Sequence, residues 1–116
     1  METQEMARHA QQVFDDHLTL RLEGALEEDL TRNYAEDVVL LCETGVMRGF
    51  DGVRWSANRL KQRFPNQPYE YLSRFVEGEY AFLKWSAGTR SKDFTIGADS
   101  FLIRGGKIVM QSVYYA

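Results

Sequence analysis

Along the first part of the chain, Met6, Ala10, Val13, Phe14, His17 and Leu18 recur every three or four residues between about residues 3 and 23. That spacing makes one stripe of an amphipathic helix, and Gly24, tolerant of left-handed backbone, ends it. Leu26, Leu30 and Tyr34 follow at four-residue intervals and predict a second, shorter helix. Glu27, Glu28 and Asp29 sit near its start, where the helix dipole favours negative charge. The run VVLLC over 38–42 is too short for a helix and is read as a strand covered on both faces. A short strand or bend follows over 46–48. RGFDG then opens a third helix with the stripe Val53, Ala57, Leu60 and Phe64, and Pro65 stops it.

Everything after Pro68 reads as strand. Aromatic and β-branched residues dominate 69–76, 80–87, 94–103 and 107–115, Gly78 separates the first pair, and Gly105-Gly106 is the two-residue turn of a tight hairpin. Strands joined by short turns form an antiparallel meander, and helices gathered ahead of four long strands make an α+β fold rather than a parallel α/β sheet. With no repeat, linker or low-complexity segment, the 116 residues are expected to form one domain over 1–116.

Charge and composition narrow the partners. With 14 Lys and Arg against 17 Asp and Glu, a net charge of −3 argues against nucleic acid. The one basic cluster, Arg54, Arg59, Lys61 and Arg63, reads as a solvated helix face. The opening METQEMARHAQQ has no apolar core of a signal peptide, and no stretch approaches a membrane span, so no membrane partner is expected. Cys42 is the single cysteine and cannot form an internal bridge, which fits a reducing, cytoplasmic setting. In the strand over 80–87 both alternating sets are apolar or aromatic. Helices cover only one face, so a second copy, in a homodimer packed sheet to sheet, is expected on the other.

Alternation in the third long strand puts Gly97, Asp99, Phe101 and Ile103 on one face. An acid sharing a face with Phe101 and Ile103 is costly to ionise, and its pKa is expected to be raised. His17 lies on the apolar stripe of the first helix and points inward, where a neutral imidazole oriented by the Asp99 carboxylate is a general base. A hydrogen-bonded core histidine is the plainer alternative. Cys42 with His17 would make a nucleophile and base, although cysteine in an apolar strand is usually inert packing. No metal site is expected: His9 and His17 stand about 12 Å apart along a helix. No phosphate loop is present and no cofactor is called for.

Several local strings, in this order and spacing, resemble the nuclear transport factor two-like superfamily and, within it, the SnoaL-like and ketosteroid isomerase-like small proteins. They are Tyr34-Ala35-Glu36-Asp37-Val38, Arg48-Gly49 with Gly52-Val53, Phe64-Pro65-Asn66, Trp85 with Gly88-Thr89, and Asp99-Ser100-Phe101 before Gly105-Gly106-Lys107-Ile108. The resemblance implies a cystatin-like, cone-shaped, strongly curved antiparallel sheet holding three N-terminal helices, with an open end that admits a small, mostly apolar molecule. It further implies that Asp99 matches the acid that ketosteroid isomerase keeps neutral to donate a hydrogen bond to an oxyanion. Two positions depart from that enzyme: its proton-abstracting carboxylate falls on Cys42, and its helix-borne tyrosine on His17.

The sequence therefore leads to a small-molecule-binding SnoaL-like domain acting as an acid/base isomerase, cyclase or hydrolase on a polyketide-, steroid- or terpenoid-like substrate. Asp99 and His17 are its candidate catalytic groups, and Tyr34, Cys42, Trp55, Tyr71, Trp85 and Phe101 its candidate substrate contacts. A non-catalytic ligand-binding or dimerisation module is the alternative, because one fold hosts many activities.

Overall fold

Helix α1 (Ala10–Leu22) forms where the stripe predicts it and buries Val13, Phe14, His17, Leu18 and Leu20. The computed structural model describes residues 8–65, 69–90 and 93–116, so Met6, at the start of the expected stripe, lies outside the described residues. At the start of the helix the His9 backbone N–H donates to Gln12 Oε1 over 3.1 Å, satisfying a donor that has no partner within the helix. At its end Gly24 takes φ 75°, turning the chain into α2 (Leu26–Asn33). The four-residue spacing predicted that α2 would run on through Tyr34. Instead Tyr34 opens strand β1 (Tyr34–Cys42), because its backbone pairs with Ile108 and its ring is buried. A tertiary pairing overrides the local period there.

Strand β2 (Gly45–Arg48) folds back antiparallel on β1 and leads into α3 (Gly49–Arg63), which RGFDG opens as expected. The meander follows as β3 (Tyr69–Glu77), β4 (Tyr80–Gly88), β5 (Phe94–Arg104) and β6 (Lys107–Tyr115). Gly105 and Gly106 make the last turn with φ 62° and 79°, the pair of positive values that a tight hairpin demands.

The six strands form one curved, unclosed sheet in the order β2-β1-β6-β5-β4-β3. Every neighbouring pair is antiparallel except β1 and β6, which run parallel because α3 and the whole meander intervene between them. The register slips between Tyr34 and Val39, between Tyr71 and Ser73, and between Leu102 and Ile103. Such irregularities bend a sheet, and here they accompany its wrap around the helices. The fold is therefore the expected α+β cone.

Alternation decides what lies inside. On β5, Thr95, Gly97, Asp99, Phe101 and Ile103 are buried and the residues between them are not. Phe14 of α1 meets Phe101 edge to face at 5.3 Å between ring centres, joining helix and sheet at the base of the cone. The convex face is different. Leu41 is exposed, so β1 is not covered on both faces as the apolar run suggested, and Phe75 and Tyr80 are 67% and 66% exposed beside Phe82, Ile96 and Tyr114. Among the described residues no helix is long and apolar enough to cross a membrane.

Replacing fully buried Phe14 by alanine should cost about 3–5 kcal/mol of folding free energy through lost burial and the cavity left behind. Val46→Ala, at an exposed position, should stay within about 0.5 kcal/mol. Urea unfolding followed by circular dichroism measures both, and equal losses would contradict this placement of the core.

Candidate active site

Between α1, α3 and the concave side of the sheet the packing leaves a cavity of about 330 Å³. His17 and Arg21 reach it from α1, Leu60 from α3, and Tyr71, Trp85 and Asp99 from the sheet. The polar groups gather on two walls, one on the sheet and one on the helices.

On the sheet wall Asp99 is 8% exposed and bonded by side chains, not backbone. Trp85 Nε1 donates to Oδ1 over 2.9 Å and Gln111 Nε2 donates to Oδ2 over 3.0 Å. Behind them the Tyr34 hydroxyl donates to Gln111 Oε1 over 2.5 Å, which fixes the Gln111 amide with its NH₂ toward Asp99. Gly97 makes this arrangement possible: it pairs with Trp85 across the ladder, and a methyl group on it would sit inside the indole. Burial pushes the Asp99 carboxyl above the usual carboxylate range, partly opposed by the Trp85 and Gln111 bonds and then by the charges of His17 and Arg21. Tyr71 donates its hydroxyl to the Leu18 carbonyl over 2.8 Å, and burial pushes its pKa up to about 12, so it remains a neutral phenol.

On the helix wall the carboxylate that orients His17 is Asp29, not Asp99. His17 Nδ1 lies 2.7 Å from Asp29 Oδ2, and since a carboxylate accepts, Nδ1 carries the proton of that bond. Asp29 is 0% exposed, and Asn33 Nδ2 donates to its other oxygen over 2.8 Å. Asn33 Nδ2 also donates to Asp16 over 2.9 Å, and Asp16 is paired outward with Arg32, whose hydrogen bond holds the Asp16 carboxyl below its ordinary range. Edge-on contacts of the imidazole with Tyr34 and Phe101, at 5.6 and 5.3 Å between ring centres, complete its cage. Sequence reasoning assigned Asp29 to the helix dipole. The overlooked signal was position: Asp29 and Asn33, four apart, fall within the buried stripe of α2 beside Leu30, where a polar residue needs a buried partner.

The other sequence candidates divide by place. Tyr71 and Trp85 line the cavity with His17 and Asp99. Tyr34 and Phe101 are buried behind its wall, Tyr34 holding Gln111 and Phe101 packing on Phe14 and His17. Cys42 and Trp55 flank a separate hollow of about 20 Å³ between α3 and the ends of β1 and β6, where the Arg59 guanidinium lies 5.3 Å from the Trp55 ring centre. Cys42 and His17 thus face different spaces, and Cys42 Sγ contacts Thr44 Oγ1 at 3.1 Å instead. Among the described residues no three His, Cys, Asp or Glu side chains are grouped to hold a metal ion.

No family model matches the chain, and no curated protein does. Solved structures do. A protein from Kribbella flavida DSM 17836 superposes with a TM-score of 0.78 at 15% identity, covering 93% of this chain and 87% of its own. Wild-type IdmH from Streptomyces antibioticus, a proposed polyketide cyclase, gives 0.75 at 17% identity over 93% and 92%. A SnoaL-like protein of unknown function from Burkholderia thailandensis e264 gives 0.72 at 15% over 92% and 94%. The chain has the SnoaL-like, nuclear transport factor two-like fold, and at these identities the likeness is one of fold alone.

The raised pKa of Asp99 makes stability depend on pH. Below its ordinary value of 3.8 both the folded and the unfolded chain keep the proton, and burial costs nothing extra. As pH climbs from there to the higher folded value, the unfolded chain ionises first, and stability falls by up to about 1.4 kcal/mol per pH unit. Asp99→Asn removes that slope. Urea unfolding from about pH 4 to 8 should show wild type losing ground to the variant as pH rises. A difference independent of pH would contradict the buried, proton-retaining carboxyl.

Proposed function

We propose that the cavity binds a small, largely apolar molecule and that His17 and Asp99 perform acid/base chemistry on it. One observation carries this reading: a space of about 330 Å³ is lined by both groups, His17 from α1 and Asp99 from β5. With Nδ1 committed to Asp29, the nitrogen of His17 left for a ligand is Nε2, whose lone pair can accept a proton. Asp99, whose pKa burial raises, can in its neutral form donate a hydrogen bond to an oxygen on which negative charge develops.

The step that fits is proton abstraction beside a carbonyl. Nε2 takes the proton, the C–H electron pair passes into the enolate, and Asp99 stabilises the oxygen. Return of the proton to another carbon of a conjugated enolate completes an isomerisation, whereas attack of the enolate carbon on a second carbonyl, whose alkoxide oxygen then takes the proton from Nε2, completes a cyclisation. IdmH, with the same fold, is a proposed polyketide cyclase, and a polyketide-, steroid- or terpenoid-like carbonyl compound is the substrate class in keeping with the cavity. Hydrolysis uses the same pair on a water molecule. The lone Cys42 is compatible with a cytoplasmic setting.

Incubating the protein in D₂O with a panel of cyclic ketones, and following deuterium uptake beside the carbonyl by mass spectrometry, tests the chemistry. Wild type should accelerate exchange, and His17→Gln and Asp99→Asn should each lose about 10²–10⁴-fold. Binding of the same ketones, seen as Trp85 fluorescence quenching, with no exchange would sink the catalytic part and favour a non-catalytic ligand-binding module.

We further propose that two copies pair through the convex sheet, since exposed Phe75, Phe82 and Tyr80 form an apolar patch there. Sedimentation at micromolar concentration should show a dimer that Phe75→Glu with Tyr80→Glu converts to monomer. A wild-type monomer would refute the pairing.

A further inference from the structure

His17 and Arg21 stand one turn apart on α1, and both line the cavity, yet the binding reading above gives Arg21 no task. Its side chain is 24% exposed, and among the described residues no carboxylate lies within hydrogen-bond distance of its guanidinium, although the Tyr34 hydroxyl is close enough to share a hydrogen bond with it. Its one ionic neighbour is Asp29 Oδ2 at 3.9 Å, an oxygen already taken by His17 Nδ1 at 2.7 Å. The other carboxyl of the cavity, Asp99, has both oxygens engaged by Trp85 and Gln111 and is held toward its neutral form by burial. Lys61 adds a second cation to the lining from α3. A guanidinium with five fixed donors, facing a largely apolar space with most of those donors unused and no carboxylate within hydrogen-bond distance, matches an anionic oxygen pair such as a carboxylate.

We propose that Arg21 is a specificity-determining residue that binds an anionic group, a carboxylate or its like, on an otherwise apolar ligand. This rests on the cavity being a binding site, and it narrows the ligand from any apolar carbonyl compound to an acidic one. The acid docks on Arg21, and its apolar body extends over Trp85, Tyr71 and Leu60 within reach of His17. A charge-assisted, two-point contact of this kind in a partly desolvated site favours the anion by about ten- to a hundredfold over a neutral molecule of the same shape.

Two fluorescent probes separate the possibilities: anilinonaphthalene sulfonate, an apolar aromatic body with one anionic group, and phenylnaphthylamine, the same body without it. Wild type should bind the sulfonate at least about tenfold more tightly than the amine. Arg21→Met should bring the sulfonate down to the level of the amine and leave the amine within about twofold of wild type, while Arg21→Lys keeps part of the preference. Equal affinity of wild type for both probes, or equal weakening of both by Arg21→Met, overturns the assignment while leaving the cavity a binding site. Failure of wild type to bind either probe overturns the binding reading and this inference with it. Should Arg21→Met not fold, the sulfonate-to-amine ratio of wild type and Arg21→Lys decides, and a ratio of about one in both refutes the role.

Discussion

Two buried carboxyl groups constrain the inner surface of this protein more than any other feature. Asp29 is fully buried and Asp99 nearly so, in a chain of 116 residues whose core is mostly apolar. An unpartnered carboxylate in such a place costs several kcal/mol, so each must be hydrogen-bonded or protonated. The two are resolved differently. Asp29 receives His17 and Asn33, with Arg21 nearby, and its network runs outward through Asp16 to Arg32 at the surface. Asp99 receives only neutral donors, Trp85 and Gln111, and its pKa rises. Much of the inner surface follows from supplying those donors: Gly97 leaves room for the indole, Tyr34 fixes the Gln111 amide, and α2 is docked where Asp29 reaches the imidazole.

That asymmetry assigns different chemical characters to the two walls. The helix wall carries a histidine whose tautomer and orientation are set by the Asp29 carboxyl, leaving Nε2 as its second nitrogen. The sheet wall carries an acid biased toward keeping its proton, which makes it a donor. A buried acid whose pKa is raised, lining the same space as an oriented imidazole, is the kind of pair that acid/base chemistry uses. Both walls rest on regular elements rather than loops, so the separation between them is set by helix-on-sheet packing, with the Phe14–Phe101 contact beneath it.

Most of the architecture was legible because the chain obeys its local periods. The α1 stripe, the Gly105-Gly106 turn and the alternation on β5 each signal structure within a dozen residues, and each forms where expected. The departures are tertiary. Tyr34 has helical spacing but is claimed by β6, and Leu41 has strand chemistry but no helix above it. The site was legible residue by residue and not as a set. His17 and Asp99 could be placed on inward faces, but which carboxylate meets the imidazole depends on how α2 crosses α1. Cys42 shows the same limit from the other side. An inward position on β1 is readable, yet whether it opens on the main cavity or on the small hollow beside Trp55 depends on where α3 lies.

The mismatch with ketosteroid isomerase takes on a physical meaning at this point. Where the resemblance puts a carboxylate base on β1, this chain has Cys42, outside the main cavity; where it puts a tyrosine on the first helix, this chain has His17, inside it. On the proposed reading the proton acceptor is an imidazole on the helix in place of a carboxylate on the sheet, with Asp99 at the matching position on β5. A carboxyl is still present nearby: Asp29, one helix further back, bonds the imidazole and does not itself line the cavity. A ligand gripped by Arg21, one turn beyond His17, would then meet its base on the wall that anchors it, with Asp99 facing it from the sheet.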